Sequence, residues 1–488
     1  MMKTAEWELI NELPSQYRNF ISSNLILDHI HSYTITRGND LELIGNFTYQ
    51  GSGEVLFSHV NTQRDKHPEG TVRVNDSEIE LGNIYHLDKR IVLSGLTAAN
   101  TTITNLEIGK SELKERYKIN SIKSTNLNQQ KTDFLIEWIS NLDLPQYSWP
   151  DFIKIEKTTK TTKEFSSKNH SILLTDENEK SGHSSKCCHV YIQGIHIYFG
   201  LTNESNLSEK YHPGYIIYEG TPSKELRERV RQAISFITGN NILYLGCTEL
   251  NSELNIVGFE AVTPNSMGGL FLKNTNTPPT KLMSNDAKYY ILDSDKVSLM
   301  IENFIHYYDD YDLRHISWLY WHAIIAPAHL KAVCFGAVLE FTQKIYIANN
   351  EVDFQSSLID KKDWRLISEA LHKTIADSAS INDESRKILT NKVNNLNSTP
   401  QSILTKRFFS ALNLTLSKKE LRAYSRRNDA AHGNKTPDDN FIELIRDSKI
   451  LHILCNRVLI SVLSLSDSYT DFYTLGHTFR NLSDPIDE

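Results

Sequence analysis

Arg427, Asn428 and His432, close to the C-terminal end of the chain, bring a guanidinium, a carboxamide and an imidazole together within six residues, with the small residues Ala430, Ala431 and Gly433 among them. An imidazole, with an ordinary pKa of about 6.5, moves protons at neutral pH, and a guanidinium holds two phosphate oxygens in a bidentate fork. RNA is a substrate on which such a pair acts without a metal, because its own 2′-hydroxyl attacks the neighbouring phosphorus once a base has taken the proton. In that scheme His432 is the acid/base, Arg427 the phosphate clamp and Asn428 the residue that orients the ring. The cut leaves a 2′,3′-cyclic phosphate and a 5′-hydroxyl. Each contribution is worth on the order of 10² to 10⁴ in rate, and neither metal nor cofactor is called for.

The element that positions these groups matters. On a helix, residues four apart share a face, so Asn428 and His432 point the same way. Arg427 precedes His432 by five residues and falls roughly 140° round the helix from it. Its long side chain, a break in the helix or a second subunit must close that angle. Gly433 suits a helix C-cap, residues 434–439 a turn, and Pro437 the approach to the next helix. The alternative is a plain helix end, with His432 favoured by the helix dipole and Arg427 solvated.

Charge gathers around the same stretch. Residues 385–432 hold ten basic side chains (Arg386, Lys387, Lys392, Lys406, Arg407, Lys418, Lys419, Arg422, Arg426 and Arg427) against the acidic Glu420 and Asp429. That segment carries +8, which leaves −16 for the remainder of a chain whose net charge is −8. A contrast of this kind is expected where one surface attracts phosphates, and Lys418, Lys419, Arg422 and Arg426 are the candidate RNA contacts. Solvated helix faces are the plainer alternative, with Asp429 a local ion-pair partner.

From Asp295 onward apolar residues recur every three or four positions, and the spacing predicts helices near 364–376, 383–393, 400–412, 417–431 and 438–465. Ser417 with Glu420 supplies a capping box. Before residue 285 the texture is of short β-prone runs such as 41–49, 71–74, 91–93, 189–194 and 195–199, with one charged helical stretch at 222–236. The reading is therefore an α+β, β-rich, sandwich-like N-terminal region over 1–285 and an all-α bundle over 295–488, joined across the Pro278-Pro279 segment. Residues 154–185, rich in Lys, Thr, Ser and Glu, read as a surface loop whose lysines offer a minor nucleic-acid contact.

The pattern Arg427-Asn428, three residues, then His432, inside a helical region and followed by a long apolar helix, resembles the signature of the HEPN superfamily of all-helical ribonucleases. The resemblance covers about the last two-fifths of the chain. It implies a metal-independent endoribonuclease with two motifs paired across a homodimer, and Ala430 and Ala431 would permit close helix packing there. Some HEPN families carry a Glu-x-x-x-Lys pair near the site, which makes Glu340 and Lys344 supporting candidates; an ordinary helix-stabilising pair is the alternative. The order of a β-rich region and then a HEPN bundle is also similar to bacterial antiphage proteins of the ApeA type. That implies abortive-infection defence, RNA such as a transfer-RNA anticodon loop as target, and a phage-derived trigger acting on the N-terminal domain.

Other signals point elsewhere. His183, Cys187, Cys188 and His189 hint at zinc, but adjacent cysteines on a strand face opposite ways and do not share a tetrahedral site unless the chain turns. His315, Trp318 and His322 lie among apolar residues and read as core. The most apolar span, 316–341, is broken by His322, Pro327, His329 and Lys331 and reads as buried helices rather than a membrane crossing. Five cysteines without framework spacing and no recognisable leader lead to the expectation of a cytoplasmic protein. Beside the nuclease stand a non-catalytic RNA-binding or dimerisation module, and a recognition domain on a helical scaffold.

Overall fold

The computed structural model describes residues 30–38, 40–51, 78–83, 86–107, 110–126, 130–166, 171–202, 213–284, 289–350, 354, 357–431 and 441–486. The chain divides into two compact units, Met1–Pro278 with Leu282–Glu302, and Pro279–Lys281 with Asn303–Glu488. The first is β-rich with antiparallel sheets and the second is helical. The run 71–74 and the stretch 432–440, which holds His432, Gly433 and Pro437, lie outside the described residues.

In the first unit, strands β1 (Ile30–Arg37), β2 (Leu43–Gly51), β5 (Thr97–Glu107) and β6 (Lys110–Ile119) form a four-stranded sheet in the order β1-β2-β6-β5. Alternation builds it: in β6 the even-numbered turn of the pleat exposes Lys114, Arg116 and Lys118 while Leu113, Tyr117 and Ile119 go inward. The other strands are β3 (Glu78–Asn83), β4 (His86–Ser94), β7 (Ser121–Asn126), β8 (Phe134–Ser140), β9 (Asp151–Ser166), β10 (Ser171–Ile192), β11 (Ile195–Leu201), β12 (Pro213–Glu219), β13 (Leu243–Leu250) and β14 (Ile256–Val262). They make a ten-stranded sheet in the order β3-β4-β7-β14-β13-β8-β12-β11-β10-β9. One apolar cluster draws Phe47 and Tyr117 from the small sheet and Ile91, Leu93, Ile122 and Ala261 from the large one. Arg37 bridges the two by donating to the Leu245 and Val262 carbonyls, and burial pushes its guanidinium down to about 9.

Helix α1 (Lys224–Thr238) begins where the Ser223 hydroxyl accepts from the Leu226 amide and ends at Gly239 with φ 67°. A β-carbon at Gly239 would lie 2.1 Å from the Thr277 carbonyl carbon, so glycine is required there twice over. Arg227 and Arg231, four apart on α1, both donate to Glu137 of β8, which is fully buried and also accepts from the Tyr218 hydroxyl. The Pro278-Pro279 segment is not a loose connection on its N-terminal side, because the Thr275 and Asn276 amides both donate to Asn240 Oδ1.

Residues 154–185 are not the expected loop. Apart from the undescribed 167–170 they belong to β9 and β10, paired in antiparallel register from Ile153 with Ser184 out to Ser166 with Ser171. Exposure on both faces removes the apolar alternation that marks a half-buried strand, leaving only the β-propensity of threonine as a signal.

The second unit contains α3 (Leu313–Ile325), α4 (Ala328–Asn349), α5 (Lys361–Asp377), α6 (Asp383–Asn394), α7 (Gln401–Ala411), α8 (Lys418–Ala431) and α9 (Phe441–Val462), followed by a hairpin of β15 (Ser468–Asp471) and β16 (Thr478–Asn481). Helix α2 (Ser294–His306) straddles the division between units. Helix α9 is buried along most of its length and forms the centre, packed on α4, α8 and β15, while α3 packs on α4. No helix among the described residues is long and apolar enough to cross a membrane.

Candidate active site in the helical unit

Helix α8 starts as its sequence dictates. The Ser417 hydroxyl accepts from the Glu420 amide at 3.2 Å, and the Glu420 carboxylate accepts from the Ser417 amide at 2.8 Å, a reciprocal capping box. With neither glycine nor proline inside it, the helix runs to Ala431, so Arg427, Asn428, Ala430 and Ala431 lie on its last turns. Their side chains are outside the described set, as is His432. The backbone thus carries Arg427 and Asn428 to the last turns of α8.

One fully buried ion pair and a partly exposed cluster of arginines around Asp447 hold α8 against α9. Glu420 has a second partner, Arg457 of α9, and both side chains are completely buried. Arg457 uses every nitrogen: Nη1 donates to Glu420, Nη2 to the Thr415 carbonyl at 3.0 Å and the Leu482 carbonyl at 3.0 Å, and Nε to Leu482 at 3.2 Å. The Tyr469 ring lies 5.0 Å beneath the guanidinium. Nearer the motif, Arg422 and Arg426, the latter adjacent to it, both donate to Asp447 of α9, whose side chain is 1% exposed, and Arg422 also reaches Glu443 at 3.0 Å. Hydrogen bonding from Arg446, followed by the charge of Arg422, pulls the Glu443 carboxyl below its usual range.

The four candidate RNA contacts therefore differ. Arg422 and Arg426 are spent largely on α9, whereas Lys418 is exposed and Lys419 lies over the Tyr473 ring at 5.8 Å. Elsewhere in the basic segment, Arg386 donates to the carbonyls of Ile375, Ala376, Ser378 and Ile381 and so closes the end of α5. Asp447 and Glu443 went unread in the sequence. Their signal is there: two acids four apart on a helix otherwise apolar on that side.

Glu340 and Lys344 stand exposed on α4, which packs against α8. Residues read as core prove otherwise: Trp318 is 54% exposed, with the His315 ring 5.9 Å and the His322 ring 4.2 Å from it on α3. Their apolar neighbours Ile316 and Tyr320 face inward instead, because α3 has one buried side, not two. A half-buried imidazole of this unit is that of His452 on α9. It lies 2.9 Å from the Tyr320 hydroxyl, which in turn donates to Asn456 Oδ1, and burial with the nearby charge of Lys331 pushes its ring down to about 4.

In the first unit Cys187 and Cys188 are both buried, and burial pushes their thiols up to about 11 and about 12, which disfavours the thiolate a metal would need. His189 instead meets His196 across the β10–β11 pair, ring nitrogens 2.9 Å apart; the side chain of His183 is not among those described. Among the described residues no group of three or more metal-binding side chains converges. Comparison of the chain with protein-family models, with curated proteins and with solved structures finds no match.

Proposed function

We propose that the helical unit is a HEPN-type, metal-independent endoribonuclease that acts in bacterial antiphage defence of the abortive-infection kind, with the β-rich unit as its regulator. The observation that supports this reading is the Arg427-Asn428-x-x-x-His432 stretch of the sequence, whose Arg427 and Asn428 lie on the last turns of α8, a helix clamped to α9 by Glu420–Arg457 and by Asp447. A clamped helix end supports catalysis because a phosphate and a proton donor must meet within a few tenths of an ångström. His432 serves as acid/base, Arg427 as clamp and Asn428 as the orienting residue, with Lys418 and Lys419 drawing in the RNA and Glu340 and Lys344 in support. One imidazole does not act as base and acid in place at once, so the site is completed by a second copy of the chain. Single-stranded loops, a transfer-RNA anticodon loop above all, splay their bases and free the 2′-hydroxyl for in-line attack.

The test is incubation of the purified full chain with total bacterial RNA in chelator, beside His432→Ala and Arg427→Ala. Wild type gives discrete fragments ending in 2′,3′-cyclic phosphate, and each substitution lowers the rate by on the order of 10² or more. Cleavage by His432→Ala at the wild-type rate sinks the assignment. Of the alternative, a non-catalytic RNA-binding or dimerisation module, the engagement of Arg422 and Arg426 by Asp447 favours the dimerisation form, in which His432→Ala leaves association and growth effects unchanged.

A further inference from the structure

Helix α5 has 17 residues and not one of them is buried. It is nevertheless amphipathic. Leu366, Ile367, Ala370 and Leu371 fall within an arc of about 140° and are all exposed, Leu366 by 67%. Across the turn, α6 adds Ile388 and Leu389, also exposed. The two helices hold each other: His372 Nε2 meets Asn394 Oδ1 at 3.0 Å, and Arg386 closes the end of α5. Asn397 pins the base of the hairpin through the Ile359 amide and carbonyl. Among the described residues nothing packs over the apolar side of the pair, and a two-helix hairpin is half of a four-helix arrangement.

The composition of that face points to what covers it. Residues 357–398 carry seven basic and six acidic side chains, a balance that does not recruit nucleic acid or an acidic membrane. Asp363 and Lys373 are both exposed and lie symmetrically about position 368. If two α5 helices cross antiparallel at that point, Asp363 of each copy meets Lys373 of the partner subunit, and Leu366 of each packs against Ala370 of the partner subunit. The aliphatic side chains of the hairpin offer on the order of 600 Å² per copy, against the roughly 800 Å² per partner of a stable interface.

We propose that the exposed apolar face of the α5–α6 hairpin is a self-association surface that joins two copies of this chain antiparallel through α5. It rests on this face alone and stands whether or not the chain cleaves RNA. The full chain at tens of micromolar is expected to sediment and scatter at twice 55.9 kDa, and Leu366→Glu at 55.9 kDa with unchanged far-ultraviolet dichroism. Asp363→Lys and Lys373→Asp each weaken association by about tenfold, and the double swap restores it, a recovery that a fold defect does not give. A wild-type monomer throughout this range overturns the inference and leaves the face to another part of the chain or an unlike protein. A dimer that survives Leu366→Glu, or a double swap no tighter than its singles, overturns it equally. His432→Ala associates as the wild type does, so failure of this inference and failure of the cleavage reading are told apart by measuring association and cleavage separately in Leu366→Glu and His432→Ala.

Discussion

Helices α9 and α5 belong to the same unit and are held by opposite means. Most of the 22 residues of α9 are buried, including the charged Asp447 and Arg457, whereas α5 buries nothing. Isolated helices shorter than about 12–15 residues are marginal in water, so α9 owes its stability to tertiary packing and α5 to local devices. Those devices are visible: the Arg365–Glu369 pair one turn apart at 2.9 Å, the carbonyls closed by Arg386, and the His372–Asn394 contact. The difference teaches where this unit is rigid and where it yields. Arg427 and Asn428 lie on the last turns of α8, which is clamped to α9.

The sharpest way to break that comparison is Arg457→Met. It strands the Glu420 carboxylate in the core, which costs about 3–5 kcal/mol, and lowers the melting temperature of the unit by roughly 10 °C in a thermal scan. Replacing both residues, Arg457→Met with Glu420→Leu, recovers a large part. A drop of only a degree or two in the single variant would mean that α9 is less of an anchor than its burial implies.

Next in size is a pH effect at His452. Its folded pKa, about 4, lies below the ordinary value of about 6.5, so the unfolded chain binds the proton first as pH falls. Its contribution to stability is complete above about pH 6.5 and is lost progressively down to about pH 4, on the order of 3 kcal/mol in all. Denaturant titrations at pH 7 and pH 4.5 read it, and His452→Phe flattens the difference. The smallest effect lies in the hairpin. Asn382 caps α6 by accepting from the Ser385 amide at 2.8 Å, and Asn382→Ala costs about 1 kcal/mol there. With no residue of α5 buried, the expected readout is faster amide exchange in α5 and α6 at an unchanged global melting temperature.

The helical half was legible in the sequence because its period is strong. Expected helices at 383–393, 400–412 and 417–431 compare with Asp383–Asn394, Gln401–Ala411 and Lys418–Ala431, and the Ser417 capping box is present. Strands were legible where one face is buried, as in the runs 189–194 and 195–199 that end β10 and make β11, and illegible in the β9–β10 ribbon, where neither face is. At the candidate site the motif and its basic surroundings were readable, since they are local. The acids of α9 that engage Arg422 and Arg426 stand more than 20 residues away in sequence, and nothing in spacing alone pairs them.

By itself, then, the sequence determined what is periodic or local: the switch from strands to helices, the cap that starts α8, and an Arg, Asn and His within six residues near its end. The tertiary structure decided which charges remain available. Ten basic residues crowd 385–432, yet Arg386, Arg422 and Arg426 are engaged by backbone carbonyls or by buried carboxylates. It also decided that Trp318 faces outward and that α5 carries an uncovered apolar stripe. The physical reason is that periodicity reports which side of a helix is apolar, whereas only packing between distant segments settles whether that side is covered and by what.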